Sequence, residues 1–316
     1  MSRAVQFTDY GSTDVLEVVE VPEEQLPQPG PGQVRIRAEA IGVNPLDWKI
    51  RSGVLSAVFP VAFPHVPGQD VAGVVDAVGE GVTAWSVGDE VFGMAARTYA
   101  DHVVADADRL AAKPADMPWA LAGALPTAAD AAYRALAEVG IDEGAGTGAG
   151  DTVLVHAAAG GVGTLALQFA RAAGARAIGT ASEGNHDYVR SLGAEPVAYG
   201  PGLADRVRAV SAHGVDAAVD FIGGGVLADS VALAGGPDRV ISIVDPVDAG
   251  ANGVRFSSGH GGEDYLLRAL AKAAHLHTAG TLTLPLAEVY PLEEAAAAHK
   301  ASETGRIRGK LVLVTR

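Results

Sequence analysis

The hydrophobic pattern of this chain changes period near residue 119. Before that point it alternates. Residues 33–40, QVRIRAEA, set apolar against polar positions one for one, as a half-exposed antiparallel strand does. Residues 15–21 alternate less cleanly, 27–32 (PQPGPG) form a turn cluster, 68–79 are Val-rich around Gly73, and Gly88-Asp89 marks a turn before 90–93. Many short strands with such turns predict a compact β-barrel-like domain. Beyond 119 the pattern predicts helices at 120–124 and 128–139, then strands at 152–155, 175–180, 195–199, 216–221, 239–244 and 254–257, with helices after the first two. This alternation predicts a doubly wound parallel sheet. A helix at 265–277, a strand at 281–284, a helix at 292–302 and a last strand at 310–315 do not extend the series, so this tail is expected to pack onto the first domain.

Residues 151–174, DTVLVHAAAGGVGTLALQFARAAG, carry the most chemistry. Thr152 to Val155 form a buried β-branched run, and Ala158-Ala159-Gly160-Gly161-Val162-Gly163 is an A-x-G-x-x-G turn. Val162, Leu165, Ala166, Phe169, Ala170 and Ala173 then fall on one helical face, which Gly174 ends. A helix start presents unpaired N–H groups and roughly half a positive charge, which suits a pyrophosphate. Glycine at 160 and 161 lets the backbone approach the phosphates, and Gly163 lets the helix pack close to the strand. Ala158 stands where the usual fingerprint begins with glycine. Residues 143–150, EGAGTGAG, read as a flexible surface loop ahead of the strand.

Composition narrows the function. The net charge of −15, with no basic cluster, argues against nucleic acid and acidic membranes. The absence of cysteine excludes disulfides, thiol nucleophiles and thiolate-bound metals. No apolar run is long enough to span a bilayer, and MSRAVQFTDYG carries no apolar leader, so a cytoplasmic protein is expected.

Several segments together resemble a family. They are GVNPLDWKIRSG (42–53), HVPGQDVAGVVDAVGEGV (65–82), GDEVFG (88–93), LPTAADAAYRAL (125–136), VLVHAAAGGVG (153–163), IGTAS (178–182) and GRIRGKLVL (305–313). The chain resembles the medium-chain dehydrogenase/reductases, and more closely their zinc-free quinone oxidoreductase branch. The resemblance implies an α/β protein with a GroES-like β-barrel domain at 1–118, completed by 282–316, and a doubly wound Rossmann domain at 119–281. It implies a cleft where a nicotinamide meets its substrate, and a homodimer. Zinc-dependent relatives place a cysteine before an aspartate in the first motif and Gly-His-Glu in the second. Here Asn44-Pro45-Leu46-Asp47 and Gly68-Gln69-Asp70 stand instead, which implies a metal-free site. Without a Lewis acid, hydride delivery to a conjugated, electrophilic small-molecule acceptor is favoured over alcohol oxidation.

The candidate catalytic residues are Asn44, Asp47 and Tyr10. Asn44 either orients the nicotinamide or the substrate carbonyl, or is a turn residue before Pro45. Asp47 either takes part in the chemistry or fixes its loop; Tyr10 is either a hydrogen-bond donor in the cleft or a surface aromatic. Thr127 is read as a cofactor contact, an N-cap, or both, and Asp70 as an ionised structural acceptor or a proton donor. The cofactor set begins with Asn44, Thr127 and the turn residues Ala158, Gly160, Gly161, Val162 and Gly163. It continues with Thr180, Ser182, Asn185, His186 and Tyr199 for the adenosine end, and Phe221, Ile243, Phe256 and Ser257 for the nicotinamide end. Lys310 is a cofactor contact or plain surface charge beside the last strand, and His156 is read as a satisfied interior histidine. At the end of the second Rossmann strand the neutral Ser182 stands where NAD-selective proteins place an acid, which favours NADPH, although Glu183 follows it. Enoyl-thioester reduction, and a non-catalytic NADPH-binding module, are the alternatives.

Overall fold

The computed structural model describes residues 2–142, 148–259 and 264–316, so most of the expected loop at 143–150 lies outside the described residues. In chain order the strands and helices of the first stretch are β1 (Ser2–Gln6), β2 (Glu17–Val21), β3 (Gln33–Val43), α1 (Pro45–Arg51), β4 (Asp70–Val78), β5 (Glu90–Met94), β6 (His102–Asp106), β7 (Leu110–Ala112), α2 (Trp119–Ala124) and α3 (Pro126–Glu138). Then come β8 (Thr152–Val155), α4 (Gly161–Ala172), β9 (Arg176–Ala181), α5 (His186–Ser191), β10 (Glu195–Ala198), α6 (Leu203–Val210), β11 (Ala217–Asp220) and α7 (Leu227–Ala234). The chain ends with β12 (Val240–Ser242), α8 (Pro246–Ala251), β13 (Arg255–Phe256), α9 (Leu266–Thr278), β14 (Leu286–Pro291), α10 (Ala295–Glu303) and β15 (Lys310–Val314). Two compact units divide the chain: Met1–Thr127 with Ala273–Gly280 and Pro285–Arg316, and Ala128–Lys272 with Thr281–Leu284.

The first unit is built on a sheet in the order β14-β15-β3-β4-β5-β7, with β6 also paired to β3. The alternation in β3 is realised directly: Val34, Ile36 and Ala38 are buried, while Gln33, Arg35 and Arg37 are half-exposed. These side chains join Val71, Val75, Val91 and Val103 in one core. The tail closes the sheet, with β15 antiparallel to β3 (Leu311 opposite Val43) and Leu311 and Leu313 in the same core.

The second unit is a parallel sheet in the order β10-β9-β8-β11-β12-β13. The order reverses between β8 and β11, the switch point at whose carboxyl ends ligands bind in such sheets. The expected strand at 281–284 does not form. Instead the Gln168 side chain serves Thr283 as a strand would, donating to its carbonyl and accepting from its N–H, each at 2.7 Å. The strand begins later, at Leu286, where β15 offers a parallel partner. The expected helix at 292–302 is a 3₁₀ turn, Leu292–Glu294, followed by α10. Helices α6, α7 and α8 lie in stretches where the pattern predicted none.

Candidate active site

The glycine turn of the second unit starts with strain. Ala157 has φ of 55°, a left-handed conformation that costs a non-glycine residue roughly 1–2 kcal/mol. Its N–H bonds the Thr180 hydroxyl at 3.2 Å, and the next N–H, of Ala158, bonds the Thr180 carbonyl at 3.0 Å. His156 secures Thr180 from behind. Its Nε2 lies 2.9 Å from the Ser230 hydroxyl, which itself donates to the Val226 carbonyl. Nε2 is therefore the donor, and Nδ1 accepts from Thr180 Oγ1 at 3.4 Å. Burial pushes His156 down to about 4, so the ring is neutral, the satisfied interior histidine that was expected.

Two close approaches shape the turn. A Cβ on Gly163 would sit 2.2 Å from the Ala157 carbonyl oxygen, so the first turn of α4 tolerates no side chain there. Ala158 replaces the first fingerprint glycine because Gly179 of β9 makes room for it: a Cβ on Gly179 would lie 2.6 Å from that of Ala158. A Cβ on Gly160 would meet only the Ala157 oxygen, at 3.3 Å. Gly160 is the N-cap of α4, and among the described residues no side chain caps the helix. The first N–H groups of α4 are thus left for an anion, and the site fits a diphosphate.

Around this turn, Thr180 is buried and Ser182 is exposed, its hydroxyl accepting from Asn185 Nδ2 at 3.1 Å. His186 Nε2 lies 3.4 Å from the Ala181 carbonyl, and Tyr199 is 62% exposed after β10. Arg190, in α5, is paired with Asp187 at 2.8 Å. At the end of β11, Asp220 accepts from the N–H groups of Ile222 and Gly223 and from the Ser242 hydroxyl, and so ties β11 to β12. The pattern gave no cue to Asp220, because its partners lie on its own turn and on the next strand. Phe221 and Ile243 are half-buried beyond these ends, and Phe256 is 37% exposed. Ser257 is buried, with its hydroxyl donating to Glu138 and accepting from Arg134, so that group is already spent on α3.

In the first unit the structure gathers Asn44, Asp47, Asp70, Thr127 and Lys310. Asp70 is fully buried, and its Oδ1 accepts from both the N–H (2.8 Å) and the hydroxyl (2.5 Å) of Thr127, so a carboxylate from β4 caps the start of α3. Asn44 donates from Nδ2 to Asp70 Oδ2 at 2.9 Å, and its Oδ1 accepts from Lys310 Nζ at 2.5 Å. Lys310 also donates to the Val43 carbonyl at 3.1 Å and stands 3.5 Å from Asp70. The reading of Lys310 as surface charge is corrected: it is 6% exposed, and its ammonium is the counter-charge of Asp70. Asp47, 2% exposed, accepts from the Asn44 N–H at 2.8 Å and the Tyr99 hydroxyl at 3.0 Å. Burial, together with the nearby Asp70, raises Asp47 to about 7 against the pull of its hydrogen bonds and of Lys310. Tyr10 stands apart from this cluster, edge-on to Phe63, with its hydroxyl 3.4 Å from the Val61 N–H. Tyr99 and His299, which complete the cluster, carried no local signal; they are bonded across 200 positions of chain.

The family model for the alcohol dehydrogenase GroES-like domain matches residues 30–129, and that for the zinc-binding dehydrogenases matches 192–313. A quinone oxidoreductase from Lama guanicoe is 31% identical over 99% of this chain and 98% of its own. The chain belongs to the medium-chain dehydrogenase/reductase family, in its quinone oxidoreductase-like branch. The GroES-like match lies almost wholly within its first unit, and the parallel sheet of its second unit is Rossmann-like. A chloroplastic quinone-oxidoreductase homologue from Spinacia oleracea is 36% identical over 62% of this chain, and the match spans 60% of that relative's length. Among solved structures, a mycobacterial protein complexed with NADPH matches with a TM-score of 0.83 and 31% identity, covering 99% of each chain. An NAD-dependent alcohol dehydrogenase matches with a TM-score of 0.84 and 31% identity, covering 99% of this chain and 100% of its own. Asn44 and Gln69 are the residues that the sequence resemblance sets against zinc ligands, and the chain has no cysteine. Among the described residues, no three His, Cys, Asp or Glu side chains are grouped to hold a metal ion.

Proposed function

We propose that this protein is an NADPH-dependent oxidoreductase that reduces a quinone or an α,β-unsaturated carbonyl compound without a metal. The observation that carries the reading is the uncapped start of α4 behind the Ala157 turn, where no described side chain caps the helix. The bound nicotinamide supplies the hydride from its C4 atom. The chain's own part is to grip the diphosphate with main-chain amides at 160–163 and to orient what it holds. The neutral, exposed Ser182 with Asn185 beside it favours the 2′-phosphate of NADPH over the bare ribose of NADH. Asn44 and Tyr10 are the proposed contacts of the reacting groups, while the buried Asp47 holds the loop of Asn44. A homodimer in the cytoplasm acting on a small electrophile completes the reading; no helix among the described residues is long and apolar enough to cross a membrane.

Two measurements test it. Dissociation constants for NADPH and NADH are expected to favour NADPH; tighter NADH binding refutes the cofactor choice. Single-turnover NADPH oxidation against quinones, enones and enoyl thioesters is expected to proceed with the first two. Turnover with thioesters alone makes the protein an enoyl reductase, and tight NADPH binding with no acceptor makes it a binding module.

A further inference from the structure

Three side chains from separate parts of the first unit stand in line in its interior. Asp47 lies in the first turn of α1, Tyr99 just before β6 and His299 in α10, and all three are at most 2% exposed. The Tyr99 hydroxyl is 3.0 Å from Asp47 Oδ2 and 3.2 Å from His299 Nε2. The other ring nitrogen, Nδ1 of His299, is buried and bonds no described residue. A buried polar atom left unpaired costs about 1–3 kcal/mol, so its retention calls for a reason.

We propose that Asp47, Tyr99 and His299 form a proton relay, in which a proton taken up at Nδ1 of His299 changes the charge of Asp47, two hydrogen bonds away. The hydrogen-bond inventory of the three groups provides for the coupling. When Asp47 is ionised it can only accept, so Tyr99 donates to it and the phenol oxygen accepts from Nε2–H. The ring then has a bare Nδ1. A proton that binds Nδ1 lets Nε2 release its own to the Tyr99 oxygen, while Tyr99 releases its own to Asp47. The relay ends as a carboxylic acid donating to Tyr99, Tyr99 donating to Nε2, and a neutral ring protonated at Nδ1. One proton has entered, and each N–H or O–H bond broken along the relay is matched by one formed.

The surroundings leave one charge free to change. Asp47 faces the Asn44 N–H, Tyr99, Asp70 of β4 and Lys310 of β15, and the last two are paired with each other. His299 faces Tyr99 and the cation Arg51 of α1, which is itself paired with Glu303 of α10. Burial holds the Tyr99 hydroxyl well above its ordinary range, and burial together with Arg51 holds His299 down to about 3, so neither carries charge near neutrality. The use of the relay rests on the reduction proposed above, which consumes one proton with each hydride; its existence does not.

The test uses the whole chain without cofactor, labelled with ¹³C at aspartate carboxyls and ¹⁵N at histidine rings, and followed by NMR across the neutral range. Asp47 is assigned by its absence in D47N, and His299 by its absence in H299Q. The expected result is that the His299 ring changes from the Nδ1–H to the Nε2–H tautomer as pH rises, with the same midpoint as the Asp47 carboxyl. In Y99F the tautomer is expected no longer to follow Asp47. Should Y99F not fold, D47N carries the test, and its ring is expected to keep one tautomer throughout. A ring that keeps one tautomer while Asp47 titrates, a coupling that survives in Y99F, or a switch that persists in D47N overturns the proposal.

Discussion

Replacing Gly163 by alanine places a methyl carbon 2.2 Å from the Ala157 carbonyl oxygen and 2.8 Å from both the Ala157 carbonyl carbon and the Ala158 Cα. All three are backbone atoms, so no side chain can swing aside. To restore a contact of about 3.4 Å the start of α4 must move by roughly 1 Å, against a strand buried in the sheet. Overpacking of this kind costs about 1–3 kcal/mol. The same displacement misaligns the N–H groups offered to a diphosphate, and the loss of charge-assisted hydrogen bonds worth about 1.5–3 kcal/mol lowers affinity roughly 10- to 100-fold. Denaturant unfolding, read as a shift in midpoint at constant slope, measures the first effect, and titration with NADPH the second. G160A is the internal control. Its methyl meets only one atom, at 3.3 Å, so the fold is expected to hold while the methyl obstructs the phosphates. If G163A unfolds at the wild-type midpoint, or if both variants bind NADPH as tightly as the parent, the account of this turn is wrong.

Four further outcomes follow from the structure. G179A is expected to destabilise by about 1–3 kcal/mol through its 2.6 Å approach to Ala158, and A158G to restore much of that loss in a double-mutant cycle. S182D is expected to weaken NADPH binding more than NADH binding, because an acid at that point repels the 2′-phosphate; equal losses would show that Ser182 does not read that group. D70N leaves the buried Lys310 without its counter-charge and is expected to cost about 3–5 kcal/mol in denaturant unfolding, the penalty for breaking a buried ion pair. His156 is lowered from 6.5 to about 4, so the unfolded chain binds more protons than the folded one between those values. Its contribution, at most about 3 kcal/mol, is fully present above pH 6.5 and lost as pH falls toward 4, a slope that H156Q should flatten.

The change of period near 119 and the strand, turn and helix at 151–174 follow from spacings of two to four residues, so they could be read without a fold. The sequence by itself therefore determined the two architectures, the glycine turn that opens α4 and the interior role of His156. It did not place α6, α7 and α8, which are short helices of six to eight residues whose stability comes from packing rather than propensity. Nor did it show that 281–284 would pair with a glutamine side chain, a partner 115 residues away.

Tertiary structure alone decided which polar groups were buried together. Lys310 reaches Asn44 across 266 residues and Tyr99 reaches His299 across 200, so no local pattern records either contact. Burial in one cluster makes each group depend on the others: Lys310 balances Asp70, and Asp47, left without a cation of its own, holds its proton up to about neutral pH. Residue type supplies the charge, but the dielectric and the partner that set its chemistry exist only once the chain has folded.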